Sequence, residues 1–214
     1  MQKIGFITST ITEEQYVSSL QDKYRPVFAE LRLRGLEGSL VAYDSEEPVD
    51  WGQYSMLVPS PALEYTHNYP ALLSWLTRLE ERQQEVLQNP IPVIRWNSHK
   101  SYLIALQQLG EIWKFQQSKL SRLDIYQGVR IPRTQLIEVG SSWEEVRRAV
   151  ETLAEANAEI VVKPAVGASG KGTCKINTSK GFQSNIEALV GKTDIIIQVM
   201  FAPSCLNAAL RQHF

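Results

Sequence analysis

The stretch Ile160–Thr173, IVVKPAVGASGKGT, constrains this chain more than any other. A short β-branched run ends in Lys163-Pro164, and Gly167, Gly170 and Gly172 follow closely, interleaved with Ser169, Lys171 and Thr173. Glycine admits positive φ and lets backbone N–H groups approach an anion closely. The Ser169 and Thr173 hydroxyls add further donors. A lysine at the end of an apolar strand is costly to bury unless an anion pairs with it. In a generic glycine turn the lysines would simply be solvated. Lys163-Pro164 directly ahead of three glycines favours a flap over phosphates, with one lysine fixed beneath it. The residues after Thr173 are again strand-like, so this part of the chain should be an antiparallel hairpin.

Two better-known phosphate loops do not fit. A Walker loop needs Gly, four residues, then Gly-Lys-Ser/Thr opening a helix. Ala165 and Gly172 stand where the first glycine and the Ser/Thr should be, and Thr173–Ile176 is strand-like. No Gly-x-Gly-x-x-Gly closes a strand–helix turn, which excludes the dinucleotide fingerprint.

The first third alternates strands and helices. Lys3–Ser9, Ser39–Asp44 and Ser55–Pro59 read as strands, and Ile91–Arg95 as a fourth. Val27, Phe28, Leu31 and Leu33 predict a helix over Tyr24–Arg34 that stops at Gly35; Leu72, Leu73, Leu76 and Leu79 predict another over Tyr69–Gln84. Such alternation implies a mostly parallel sheet covered by helices. The second half differs. Pro132–Gly140 should be extended, and Ser141 or Ser142 should cap a helix running to about Ala156, with Glu144 and Glu145 in its first turn. Strands Glu159–Lys163, Thr173–Ile176 and Asp194–Phe201 follow, with a helix over Phe182–Leu189. The expected class is α/β: an N-terminal doubly wound domain over 1–96, a partial α+β domain over 97–201, and a tail over 202–214.

Composition narrows the function. With 22 basic and 23 acidic residues the net charge is −1, which offers no field for nucleic acid or an anionic membrane. Cys174 and Cys205 are too few for a disulfide framework and lack metal-ligand spacing, so a reducing, cytoplasmic compartment is expected. No apolar run suits a signal peptide or a membrane span.

The segment VVKPAVGASGKGT resembles the phosphate-loop signature of the ATP-grasp superfamily, and more narrowly of glutathione-synthetase-like and related amino-acid ligases. Other pieces agree in order. Asn89-Pro90 followed by Val93–Leu103, VIRWNSHKSYL, is similar to the segment that opens the family's ATP-binding half. Gly128–Thr134, GVRIPRT, resembles its "G.p.P.T" segment, and Ile195–Phe201, IIIQVMF, the strand entering the adenine hinge. The resemblance spans about 89–201 and, more loosely, the N-terminal third, which corresponds to a pre-ATP-grasp domain.

It implies an ATP-binding site and a parent reaction of ATP-dependent carboxylate–amine ligation through an acyl phosphate. Lys100 and Lys163 would contact the α- and β-phosphates. Gly167, Ser169, Gly170, Lys171, Gly172 and Thr173 would form the flap, with Lys171 either at the γ-phosphate or solvated. Gln198 and the backbone around Val199 would meet the adenine edge. No catalytic side chain is assigned. The expected partners are ATP and a small carboxylate or amine substrate.

Two departures matter. The family continues past the hinge with carboxylates and an Asn that chelate magnesium, whereas Val199–Phe214 contains no Asp or Glu. The chain therefore reads as truncated, lacking metal ligands and inactive alone; the alternative is a non-catalytic nucleotide-binding remnant or a partner-dependent subunit. Truncation would also leave the apolar Ile195–Phe201 strand as an unpaired edge. Glu111–Gln127 interrupts a stretch that the family runs straight through, and reads either as an extra surface helix or as an insertion outside the core. An unspliced intron with a later shift of frame would produce both departures.

Overall fold

The computed structural model describes residues 1–10, 14–59, 65–83, 86–117, 132–153, 159–177, 186–187 and 189–200, with side chains at all of these except 14–19 and 111–117. The chain divides into two compact units, Met1–Trp96 and Asn97–Phe214.

The first unit holds three parallel strands, β1 (Gln2–Thr8), β2 (Leu36–Ala42) and β3 (Tyr54–Pro59), in the order β2-β1-β3. Helix α1 (Glu14–Leu33) covers one face and α2 (Tyr69–Glu81) the other. The two-residue period of β1 explains this double cover. Phe6 packs against Tyr24 and Phe28 of α1. Its neighbour Ile7 joins Leu57, Leu72, Trp75, Leu76 and Leu79 in the core on the α2 side. Gly38 lets α1 lie close on β2, because a Cβ there would stand 2.6 Å from Phe28 Cδ1. On α2, Trp75 takes the fully buried place that periodicity assigned to Leu73, which is half-buried.

Two elements differ most from the sequence reading. Helix α1 starts ten residues earlier than Tyr24 and carries Pro26 inside it, ending before Gly35 at φ +74°. The expected fourth strand, Ile91–Arg95, is instead helix α3 (Ile91–Ser98). Pro92 lacks the N–H that a central strand must donate, but it is tolerated in a first helical turn, where that N–H has no intrahelical partner. Pro90 C=O opens the turn by accepting from Val93 and Ile94. Arg95 then reaches back to Thr77 and Glu80 of α2, at 2.7 and 2.8 Å.

The second unit is an antiparallel sheet of β4 (Thr134–Ile137), β5 (Glu159–Pro164), β6 (Cys174–Asn177) and β7 (Ile195–Val199), in the order β4-β7-β5-β6. β7 is therefore central, hydrogen-bonded on both sides, and not the exposed apolar edge expected for Ile195–Phe201. The strand ends at Val199 with Met200 beyond it, and Phe201 lies outside the described residues. Helix α5 (Trp143–Leu153) buries Val146, Ala149, Val150 and Leu153 against Ile160, Val162, Ile195 and Ile197. Ser142 caps it as a capping box: its Oγ accepts from Glu145 N, and the Glu145 carboxylate accepts from Ser142 N at 2.7 Å. These bonds hold the Glu145 carboxyl below its ordinary range.

Helix α4 (Tyr102–Gln117) takes in Glu111–Gln117, the first part of the segment read as an extra helix or an insertion. The remainder, up to Gln127, lies outside the described residues, as does most of the helix expected over Phe182–Leu189. No helix among the described residues is long and apolar enough to cross a membrane.

Candidate functional site

β5 and β6 frame the glycine loop, and alternation along β5 sets what lies beneath it. Ile160 and Val162 face α5, so Val161 and Lys163 face the other way. On β7 the same rule puts Ile196 and Gln198 on the face of Lys163, and Thr134 of β4 lies opposite Gln198. A polar chain results. Lys163 Nζ donates to Gln198 Oε1 at 2.9 Å, and Gln198 Nε2 donates to Thr134 Oγ1 at 2.9 Å. Thr134 Oγ1 in turn donates to Pro132 C=O at 2.7 Å, while Thr134 N donates to Gln107 Oε1 of α4 at 2.6 Å.

Lys100 lies just ahead of α4. Its N–H donates to Ala165 C=O at 2.8 Å and its Nζ donates to Gly167 C=O. Both lysines thus border one cleft of about 250 Å³, lined also by Pro164, Gly167, Ala168, Ser169, Gly170, Lys171 and Thr173. That volume falls below the ~300–1,000 Å³ of a pocket that holds a whole ligand; it suits a phosphate group.

The loop is built for anions. Ser169, Gly170 and Gly172 have φ of +53°, +73° and +70°. Successive left-handed and turn conformations aim neighbouring N–H groups to one side. Lys171 N and Thr173 N close turns onto Ala168 and Gly170 carbonyls. The N–H groups of Ala168, Ser169, Gly170 and Gly172 bond to no group among the described residues. Gly172 also packs on the Pro164 ring, where an added Cβ would come within 2.9 Å of Pro164 Cγ.

Electrostatics point the same way. Burial, and then the neighbouring Lys163 charge, lower the pKa of Lys100; burial lowers that of Lys163. A charge disfavoured in the free protein becomes favoured once an anion enters. Binding of a polyphosphate should therefore take up protons at alkaline pH, and affinity should fall as pH rises, earlier than for lysines of ordinary pKa. Calorimetric titration with ADP between about pH 7 and pH 10, in buffers of different ionisation enthalpy, measures that uptake; an uptake of zero throughout would contradict it.

Of the residues the sequence proposed for the site, the structure gathers Lys100, Lys163, Gly167, Ser169, Gly170, Lys171 and Thr173 at the cleft, with Gly172 behind the loop. Lys171 is exposed. Gln198 joins them through Lys163, its amide held between that lysine and Thr134. The Val199 N–H is already given to Arg133 C=O at 2.9 Å. The sequence reading missed Thr134, Gln107, and the pairing of His99 with Asp194. Those bonds join elements distant in sequence and leave no periodic signal in it.

Among the described residues, no group of three or more His, Cys, Asp or Glu could hold a metal ion. The side-chain charges lining the cleft are ammonium groups, so these residues do not fit a magnesium ion, and no step is routed through one. Burial pushes the Cys174 thiol up, which makes it a poor nucleophile at neutral pH.

A helix-flanked parallel unit followed by an antiparallel sheet is a fold shared with known structures. D-cycloserine synthetase DcsG superposes with a TM-score of 0.65 at 19% identity, over 92% of this chain and 59% of that one. D-alanine–D-alanine ligase from Bacillus anthracis gives 0.60 at 12% identity, over 94% and 58%. A RimK domain ATP-grasp protein from Sphaerobacter thermophilus gives 0.57 at 13%, over 94% and 64%. The chain is built on the ATP-grasp fold. It spans about three-fifths of the length of these neighbours. Residues 4–88 also match the family described as the N-terminal domain of D-cycloserine synthetase DcsG. No curated protein sequence matches the chain.

Proposed function

We propose that this ATP-grasp chain binds ATP, its phosphates lying against Lys100 and Lys163 under the Gly167–Thr173 loop, and that it serves ATP-dependent carboxylate–amine ligation. The observation that carries the proposal is the pair of partly buried lysines facing a loop whose Ala168, Ser169, Gly170 and Gly172 N–H groups have no partner among the described residues. Partly buried ammonium groups with depressed pKa values need an anion, and a polyphosphate supplies several charges in a row. The neighbours add support: they include a D-cycloserine synthetase and a D-alanine–D-alanine ligase, and the Bacillus anthracis enzyme also occurs complexed with ATP.

In the proposed reaction a carboxylate oxygen attacks the γ-phosphorus of ATP, and ADP leaves. An amine then attacks the acyl carbon and releases phosphate. The residues described here contribute charge neutralisation and placement of the phosphates, which is most of what a protein supplies in phosphoryl transfer. The substrates are a small carboxylic acid and an amine, of the amino-acid class, and the compartment is the cytoplasm.

Titration of the 214-residue chain with ADP and with ATP tests the reading. Saturable binding at one site, competed by inorganic pyrophosphate, is expected. Absence of binding by either nucleotide would overturn it.

A further inference from the structure

His99 and Asp194 belong to no phosphate contact, yet they close a ring around the cleft's first lysine. Asp194 C=O accepts from Ala165 N at 2.8 Å, and Ala165 C=O accepts from Lys100 N at 2.8 Å. His99, next to Lys100 in the chain, returns to Asp194 through Nε2···Oδ2 at 3.2 Å. The other Asp194 oxygen accepts from Val139 N at 2.6 Å, beyond the end of β4. The ring therefore joins the lead-in to α4, the base of the glycine loop, the start of β7 and the end of β4.

The chemistry of the imidazole is determined by its neighbours. His99 Nδ1 lies 3.3 Å from Ser101 N, a group that can only donate, and 2.9 Å from Ser101 Oγ. Nδ1 must accept, so the ring proton sits on Nε2 and points at the Asp194 carboxylate. Neutral His99 thus satisfies one donor and one acceptor demand at once. The pair is sheltered without being sealed: the His99 side chain is 17% exposed and that of Asp194 30%.

We propose that His99 and Asp194 are a positioning pair for the phosphate site. They hold the Lys100 backbone against Ala165, so that its ammonium stays at the mouth of the cleft, on Gly167 C=O, where a phosphate oxygen replaces that carbonyl. The inference rests on the nucleotide reading above and assigns the pair no contact with substrate. Lys100 has a long side chain with several rotatable bonds. Without a fixed backbone its ammonium would average over many positions and neutralise a phosphate less well.

The tests need both ligand-free and ligand-bound readouts. In nitrogen-15 spectra of the wild-type protein, which has three histidines, the neutral form of His99 should carry its proton on Nε2; the opposite tautomer would overturn the inference without any variant. His99→Ala should speed amide hydrogen exchange at Lys100 and Ala165, leave β1 amides unchanged, and weaken ADP binding roughly ten-fold. His99→Gln keeps an amide N–H to donate to Asp194 and should recover much of both effects, which a general loss of packing would not allow. Wild-type exchange rates and ADP affinity in His99→Ala, alongside weakened binding in Lys163→Met, would sink the positioning pair alone. A wild-type protein that binds no ADP would sink the nucleotide reading, and the inference with it.

Discussion

Replacing Lys163 with methionine should weaken ADP binding by about ten- to a hundred-fold, the ~1.5–3 kcal/mol of one charged hydrogen bond. The loss should come without loss of stability. Burial already lowers the pKa of Lys163, so its charge is a burden on the free protein that only an anion relieves. Methionine keeps the stem and removes the ammonium, leaving Gln198 Oε1 without its Lys163 donor. Thermal melts should therefore match the wild type or lie slightly above it, while the titration shifts. Lys171→Met should cost less, because Lys171 is exposed on the loop and screened by salt. Equal affinities for the wild type and Lys163→Met would refute the assignment of this lysine, whatever the melts show.

The second large effect lies in the sheet. Ile197 is completely buried in the middle of β7, between β4 and β5 and under α5. Ile197→Ala should cost about 2–5 kcal/mol, the range for removing a large aliphatic side chain from a packed core. Because β7 carries Gln198 and adjoins Asp194, the same loss should loosen the cleft, and ADP should protect the variant less than the wild type. Denaturant unfolding followed by a probe in the second unit measures it. A cost below about 1 kcal/mol would be that of a surface strand, and would restore the view of Ile195–Phe201 as an edge.

That view follows from the expectation of truncation, which leaves Ile195–Phe201 without a strand to pair with. Among the described residues β7 inserts between β4 and β5, and the edges fall to β4 and β6. Strand identity is a local property, read from apolar runs; strand order depends on which faces must be covered, and here α5 covers β5 and β7 together.

Ile91–Arg95 shows the same limit at shorter range. Its apolar residues fit a strand or a helix equally well, and Pro92 should have decided for a helical first turn.

The glycine loop was legible because its physics is local. Lys163-Pro164, three glycines and two hydroxyls specify a hairpin with spare N–H groups wherever they occur. Lys100 could be placed there only by resemblance, since sixty-two residues of chain lie between it and Lys163. The tertiary structure decided what each side chain does at the site. It set the Gln198 amide between Lys163 and Thr134, closed the ring of His99, Asp194, Ala165 and Lys100, and brought two ammonium groups near enough for one to depress the pKa of the other. Hydrogen bonds between distant strands leave no periodic trace in a sequence, because each residue alternates correctly whether or not its partner is there.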